Sequence, residues 1–135
     1  MDNITVKLPV TVKAKLTEKL KKHIIEDLTN RITQTDLQLQ QLDIEEKRAI
    51  ETQAQNDLQR LQAIRQHFGV ERQKGQAFKA QAEQKLADTK KLAIGAEIVQ
   101  GTLERLAIMK VGDDMRELMN VEVLVEDDKI IAIRS

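Results

Sequence analysis

The first sixteen residues alternate between apolar and polar side chains almost without exception. The odd-numbered positions from 5 to 15 are threonine, lysine or proline, and the even-numbered ones are Ile4, Val6, Leu8, Val10, Val12 and Ala14. A period of two with β-branched residues is typical of a strand with one buried face. Pro9 has no N–H to donate to a neighbouring strand, so we expect it on an edge or at a bulge. The pattern predicts a strand in residues 1–16.

The apolar pattern changes at Thr17, where a long stretch of good helix formers without proline begins and runs to about Leu92. Its apolar residues recur at spacings of three and four, the pattern of a coiled-coil seam. One heptad frame comprises Ile25, Leu28, Ile32, Thr35, Leu39 and Leu42. A second comprises Leu61, Ile64, Phe68, Glu71, Gly75, Phe78, Ala82, Lys85, Thr89 and Leu92. The two frames are out of phase, because the spacing between Leu42 and Ala54 is four throughout.

This phase slip indicates either one helix with a local change of supercoil or two helices joined by a turn. A turn near residues 52–57 is favoured, because Asn56 and Asp57 are good helix N-caps and poor helix-interior residues. Folding the chain there places four pairs opposite each other: Leu28 and Ala82, Ile32 and Phe78, Thr35 and Gly75, Leu42 and Phe68. Residues 17–93 are therefore predicted to form an antiparallel coiled-coil hairpin with arms about 54 Å long.

Residues 94–135 return to a strand-like pattern. Apolar stretches predict strands at 98–99, 103–111, 121–125 and 130–133, punctuated by Gly101 and Gly112. We expect Gly95 to cap the preceding helix, residues 113–119 to form one helical turn, and Asp127 with Asp128 to form a hairpin turn. Because a lone strand is unstable, the first strand should join the last ones in one sheet. The predicted fold is α+β: a long antiparallel coiled-coil hairpin on a small antiparallel β base formed by both termini.

Composition argues against catalysis. The chain has no cysteine, tryptophan or tyrosine, and Ser135 is its only serine. These absences exclude a disulfide framework, a thiolate zinc site and nearly every serine or cysteine nucleophile. No apolar run approaches the roughly 18 residues that span a bilayer, and no signal-peptide core precedes the first strand. The expectation is a soluble, cytoplasmic protein that is not an enzyme, holds no cofactor and contacts no membrane.

Metal ligation has little support in the sequence. His23 and His67 are the only histidines, and neither has a second histidine at helical spacing. The acidic pairs Glu45 and Glu46, Asp113 and Asp114, and Asp127 and Asp128 lack the spaced oxygen ligands of a calcium loop. A cation-dependent enzyme centred on Asp113 and Asp114 is the least favoured of three functional classes.

The net charge of zero hides a polarised chain. Residues 1–16 carry +2, 17–55 carry −2, 56–93 carry +4 and 94–135 carry −4. The basic face of the second helix includes Arg72, Lys74, Lys79 and Lys85. Such a stripe can bind phosphates, and it supports the alternative of an RNA- or ribosome-associated factor. Both phenylalanines are assigned to the seam, which leaves no aromatic platform for bases. A solvated face paired with the more acidic first helix is therefore favoured.

Partner binding has a more specific signal. Leu37 and Ile44 occupy f positions of the first frame, on the outside of the helix and away from the seam. Leu58 and Leu86 lie beside the seam at e positions. Two apolar f residues seven apart suggest a second packing surface, between copies of the chain or with another protein. The leading functional hypothesis is accordingly a protein-interaction scaffold or chaperone-like adaptor that also self-associates through this face.

The ends of the chain resemble the YlqD family of small bacterial proteins. The similar segments are residues 94–101, with sequence IGAEIVQG, residues 109–114, with sequence MKVGDD, the closing strands in 123–134, and VTVK followed by LT in 10–17. The resemblance covers the whole chain in layout. One departure is the closing turn, where the family commonly has Asp-Gly and this chain has Asp128 followed by Lys129. The resemblance implies a bacterial cytosolic setting and no catalytic residues.

Overall fold

The computed structural model describes all residues from 1 to 135 and confirms the α+β class. It contains four strands, β1 (Asn3–Lys15), β2 (Glu97–Lys110), β3 (Glu122–Glu126) and β4 (Lys129–Arg134), and three helices, α1 (Glu18–Gln53), α2 (Leu58–Lys91) and α3 (Met115–Met119). The chain divides into two compact units, residues 1–22 with 92–135 and residues 23–91. None of the helices is both long and apolar enough to cross a membrane.

The sheet unit combines the first strand with the last three, as the instability of a lone strand requires. The strand order is β2-β1-β3-β4. β1 is antiparallel to β2 along nearly its whole length, β1 is parallel to β3, and β3 is antiparallel to β4. The sheet is therefore mixed, whereas the sequence predicted an antiparallel one. The difference arises because β2 and β3 lie on opposite sides of β1 and are joined through α3. The chain crosses β1 in this connection and reverses direction, so β3 is antiparallel to β2 and hence parallel to β1.

Pro9 illustrates how the ladder is arranged. The amide of Thr11 donates to the carbonyl of Val121 at 3.1 Å, so the odd-numbered amides of β1 point toward the β3 side. β3 pairs with β1 only from Thr11 to Ala14. Pro9 therefore faces a side where no strand needs its missing N–H, and this part of β1 behaves locally as an edge.

Two of the predicted glycine roles were wrong. Gly101 does not end a strand, because β2 continues through it and absorbs one extra residue in a register shift opposite Val12 and Lys13. Gly95, with φ of 94°, lies four residues beyond the end of α2 and does not cap it. Its amide instead donates to the carbonyl of Leu16 at 2.7 Å, which draws the returning chain back against β1.

The short turns of this unit follow their side-chain chemistry. Asp114 caps α3, since its carboxylate accepts a hydrogen bond from the amide of Arg116 at 2.8 Å. Asp127 and Asp128 connect β3 to β4 with positive φ angles of 47° and 69°. Two consecutive left-handed residues characterise the type I′ hairpin turn. The small core of the unit contains Leu8, Val10, Ala14, Leu16 and Leu124.

The helical unit is an antiparallel hairpin whose turn, residues 54–57, lies where the phase slip indicated. Asp57 caps α2, accepting a hydrogen bond from the amide of Arg60 at 3.1 Å, and Asn56 takes a left-handed φ of 63°. Buried along the seam are Leu28, Thr35, Ala82 and Thr89. The two threonine hydroxyls donate to the carbonyls four residues earlier, at 2.8 and 2.7 Å, so no polar group is left unpaired at these positions.

Candidate functional site

The outer strip of α1, formed by Leu37 and Ile44, remains uncovered within the chain. Leu37 is 60% exposed and Ile44 is 51% exposed. Their separation of seven residues corresponds to two helical turns, or about 10.5 Å along the axis. Buried Leu28 and Thr35 face the opposite direction, which is why nothing in the hairpin packs on this strip.

A groove of about 700 Å³ opens between α1 and α2 on one side of the hairpin. One of its lining residues is Gly75, whose missing side chain lets Leu39 approach closely: a Cβ built on Gly75 would lie 2.8 Å from Leu39 Cδ2. The sequence paired Gly75 with Thr35, one layer away. The remaining lining of the groove is largely polar: Arg31, Gln34, Thr35, Gln38, Gln41, Leu42, Glu45, Glu71, Lys74 and Phe78.

Phe78 is the main correction to the predicted seam. The heptad frame placed it inside, opposite Ile32, but its side chain is 48% exposed and lines the groove. A straight helix drifts about 20° per heptad away from a strict seven-residue repeat. The drift along α2 brings Lys79 and Leu86 toward the seam and moves Phe78 and Lys85 out of it. The large aromatic surface is therefore available to a partner.

The outer strip and the groove are continuous on the surface of α1. Gln41, which lines the groove, is four residues after Leu37 and three residues before Ile44. Side chains at these spacings are neighbours on a helix. Apolar contacts at Leu37, Ile44 and Phe78 thus border a single surface with neutral glutamine amides between them.

The four predicted basic-face residues divide between two sides of the hairpin. Arg72 and Lys79 lie on the side away from the groove and pair with carboxylates of α1. Arg72 binds Asp43 at 3.0 Å and also binds Glu46, and Lys79 binds Asp36 at 2.7 Å. The hydrogen bonds to Glu46 and Asp36, respectively, raise the pKa of each cation. Both side chains therefore stay charged, and the paired carboxylates offset their charge within the chain, as expected for a basic helix facing an acidic one.

The other two basic residues are on the groove side of α2. Lys74 precedes Phe78 by one turn and lines the groove, where it lies 3.4 Å from Glu71. Lys85 follows Phe78 by two turns on the same face and is exposed. The structure therefore brings together one exposed aromatic ring and two lysines, an association that the sequence missed because Phe78 had been assigned to the seam.

The residues considered for metal binding have other contacts. No group of three or more histidine, aspartate or glutamate side chains is arranged to hold a metal ion. Asp113 accepts a hydrogen bond from the amide of Lys110 at 2.8 Å, and Asp114 caps α3. His67 contacts Phe68 edge to face, with ring centroids 5.3 Å apart. These contacts match the turn, cap and surface roles that such residues commonly have.

An ion network in the sheet unit was not anticipated from the sequence. It takes one residue from each strand, Lys13, Glu97, Glu122 and Arg134. Lys13 binds Glu122 at 2.8 Å, and Arg134 binds Glu122 at 2.8 Å and Glu97 at 2.6 Å. The hydrogen bond from Arg134 lowers the pKa of Glu97, and the hydrogen bond from Lys13 lowers the pKa of Glu122. No periodic pattern in the sequence marks these four residues as neighbours.

Comparisons with known proteins confirm the family resemblance seen in the sequence. The family described as YlqD protein matches residues 4–134. A crystal structure of a protein of unknown function from Synechococcus sp. WH 8102 is similar, with a TM-score of 0.83 and 29% sequence identity. That similarity covers 98% of this chain and 95% of the other. Among curated proteins, none is significantly similar to the chain.

Proposed function

The chain belongs to the YlqD family, and we propose that it is a non-enzymatic, cytoplasmic interaction protein, a scaffold or chaperone-like adaptor. Its helical hairpin binds protein partners through the groove and the adjoining outer strip of α1. The observation that carries this proposal is the exposure of Phe78 at a groove of about 700 Å³. Together with Leu37 and Ile44 on the adjoining strip, this half-exposed ring contributes to an apolar patch, and such patches mark interaction surfaces.

The chemistry of the groove favours an amphipathic helix as the bound element. Leu39, Leu42 and Phe78 offer apolar contacts at the floor and rim, while both signs of charge are present in Arg31 with Lys74 and in Glu45 with Glu71. A partner helix with apolar residues at i, i+3 or i+4, and i+7 satisfies such a groove. The glutamine amides along α1 both donate and accept hydrogen bonds, so they accommodate varied polar flanks.

The non-enzymatic part of the proposal is supported by the charged groups. Arg72, Lys79, Glu97, Glu122 and Arg134 have pKa values shifted by their surroundings, and each of them belongs to an ion pair. None of these groups lines the groove. All five groups lie in ion pairs at the surface, and a pKa shift with that cause does not mark a catalytic acid or base held in a cleft.

The alternative, an RNA- or ribosome-associated factor, keeps one supporting feature. Lys74 and Lys85 flank an exposed aromatic ring, and a phenylalanine with neighbouring cations can stack a base. It is the weaker candidate because Arg72 and Lys79 are already bound by carboxylates of α1. Lys74 is also paired, with Glu71 on its own helix. A basic stripe in which three of four cations already contact carboxylates retains less of the phosphate attraction on which RNA affinity depends.

Site-specific photocrosslinking in the native cells tests the proposal. The photoreactive analogue benzoylphenylalanine replaces Phe78 in one strain and Gln76 in a control strain. Gln76 is exposed and lies about 160° around the helix from Phe78, outside the groove. We expect discrete protein adducts at position 78 that the Leu37→Glu, Ile44→Glu background diminishes and ribonuclease leaves intact.

Two results would contradict the proposal. Equal adducts at positions 78 and 76 would remove the groove as a specific surface. The RNA alternative would be favoured if ribonuclease treatment removed the adducts. RNA binding should then also fall steeply with salt and weaken in a Lys74→Glu, Lys79→Glu, Lys85→Glu variant. A separate light-scattering experiment compares the Leu37→Glu, Ile44→Glu variant with the wild type. A lower molar mass for the variant would show that the strip holds a second copy of the chain.

A further inference from the structure

The outer edge of β2 is a long strand edge without a neighbour. β2 is fourteen residues long and ends the strand order of the sheet, whereas strands commonly have five or six residues. An uncovered edge presents unpaired N–H and C=O groups that recruit another strand unless charges, proline or a bulge prevent it. The register shift near Gly101 and the contact of Asp113 with the amide of Lys110 interrupt the edge at its two ends. Between them, Glu104 is the one charged residue among those whose backbone faces the open side.

The backbone groups on this free edge can be identified from the ladder. The odd-numbered amides of β1 point toward β3, so the even-numbered ones point toward β2. The β2 residues opposite them, 103, 105, 107 and 109, therefore direct their own N–H and C=O groups toward β1. The backbone groups of Glu104, Leu106 and Ile108 therefore point outward, to the open side. The side chains of two of these residues are strongly exposed, Leu106 at 71% and Ile108 at 57%.

We propose that this edge pairs with β2 of a second copy of the chain, antiparallel, about a two-fold axis at Ala107. In this register Leu106 of one copy lies opposite Ile108 of the other, with backbone groups free on both. The side chain of Glu104 lies opposite that of Lys110, whose own N–H and C=O stay bound to Asp113. Each of these pairs occurs twice because of the symmetry. Apolar and opposite-charge pairs directly across a ladder are both stabilising. The small Ala107 meets itself at the axis, where a larger side chain would crowd.

The charge pattern selects this register among the symmetric ones. An axis at Glu104 places two carboxylates opposite each other, and an axis at Arg105 places two guanidinium groups opposite each other. An axis at Leu106 puts Glu104 opposite Ile108 and Lys110 opposite Thr102, so neither charge is matched. Directly opposed like charges destabilise a ladder. The remaining free edge, β4, carries Lys129 and Arg134 but no acidic residue, so it lacks the complementarity that β2 has with itself.

A single-cysteine experiment tests the register directly, because the chain has no cysteine of its own. The backbone groups of Ala107 point toward β1, so its two copies would face each other as a non-hydrogen-bonded pair. The Cα atoms of such a pair are about 4.5 Å apart, within the range that a disulfide spans. Under mild oxidation, Ala107→Cys should form a covalent dimer. Leu103→Cys should not, because the axis at Ala107 separates the two copies of position 103 by eight residues, or about 26 Å. Crosslinking of both variants to the same extent, or of neither, would overturn the proposal.

Charge reversal provides a second test that does not depend on oxidation. The experiment uses the Leu37→Glu, Ile44→Glu background, in which association through the hairpin surface is removed. Sedimentation of this parent should still give twice the monomer mass of 15.4 kDa. Glu104→Lys should raise the dimer dissociation constant at least about tenfold, since two attractive pairs become repulsive. Adding Lys110→Glu should return the dissociation constant toward the parent value. Circular dichroism confirms the fold of each variant. A monomeric parent, or a reversal without rescue, would refute the pairing.

Discussion

Arg134 on β4 donates a hydrogen bond of 2.6 Å to Glu97 on β2, although these strands form opposite edges of the four-stranded sheet. Three strand spacings of about 4.8 Å separate the two backbones, so both side chains lean across one face of the sheet. Glu122 on β3 and Lys13 on β1 occupy the space between them and complete the network. The last residues of the chain are thereby tied to a strand that begins 37 residues earlier.

This network predicts a loss of stability in acid. The pKa values of Glu97 and Glu122 are lowered from their ordinary value of 4.5 by Arg134 and Lys13, respectively. A carboxylate with a lowered pKa in the folded state stabilises the fold above its ordinary pKa. That stabilisation disappears as the pH falls below 4.5 and through the lowered value. Urea unfolding of the Glu97→Gln, Glu122→Gln variant should therefore depend less on pH between 7 and 3 than that of the wild type.

The matched control for this experiment is Glu26→Gln, which removes one exposed carboxylate from α1. This variant leaves the network intact, so a change in its pH profile as large as that of the double variant would show that the effect is not specific to the network. Identical pH profiles for the wild type and the double variant would show that the network contributes nothing to folding. High salt should also reduce the difference between them, because all four charged groups are partly exposed and therefore screened.

The Leu16→Ala substitution should be among the most destabilising in the sheet unit. Leu16 is the most deeply buried large side chain in the chain, and its backbone holds both Ala96 and Gly95. Truncating a buried leucine leaves a cavity and typically costs about 2–5 kcal/mol. Leu58→Ala, at a largely exposed position, should change the free energy of unfolding by less than about 0.5 kcal/mol. Equal effects of the two substitutions in chemical denaturation would contradict the assigned core.

The two glycines of α2 should respond differently to alanine. Alanine is more favourable than glycine inside a helix by about 1 kcal/mol. A Cβ at Gly69 meets no atom within 4 Å, so Gly69→Ala should gain most of this amount. A Cβ at Gly75 would lie 2.8 Å from Leu39 Cδ2, so Leu39 must move and Gly75→Ala should gain clearly less. Thermal unfolding of both variants measures the difference, and a larger gain at Gly75 would rule out the close Leu39 contact.

The hairpin turn between β3 and β4 should accept glycine at its second position. Asp128 has a φ of 69°, in the left-handed region that costs most residues about 1 kcal/mol or more. Glycine adopts this conformation without strain, and Asp-Gly is the preferred pair for a type I′ turn. Asp128→Gly should raise the free energy of unfolding by up to about 1 kcal/mol, and Asp128→Ala should lower it. A stabilising alanine would show that the turn does not need a left-handed residue.

The order of elements was readable from the sequence because it depends on local periodicity. The alternation in residues 4–15 predicted β1, and the change to a spacing of three and four predicted the long helices. The cap at Asp57 and the turn at Asp127 and Asp128 were recognisable because each depends on a few adjacent residues. The segments at both ends of the chain also resembled the family whose model matches residues 4–134.

The candidate site was only partly predictable. Leu37 and Ile44 stood out because apolar residues on the outside of a coiled coil break the pattern. Phe78 did not, since a heptad count cannot show how far a particular helix drifts from a seven-residue repeat over several turns. The contact between Leu39 and Gly75 likewise depends on the longitudinal offset of the two helices, which no residue spacing encodes.

By itself, then, the sequence determined which segments became helix, strand and turn, since propensity and periodicity act over neighbouring residues. Only the tertiary structure decided what lies beside what: the parallel pairing of β1 and β3, the meeting of Arg134 with Glu97, and the free outer edge of β2. These relationships join residues tens to more than a hundred positions apart. They depend on how whole elements pack, because backbone hydrogen bonds and buried area between distant segments carry no local signature.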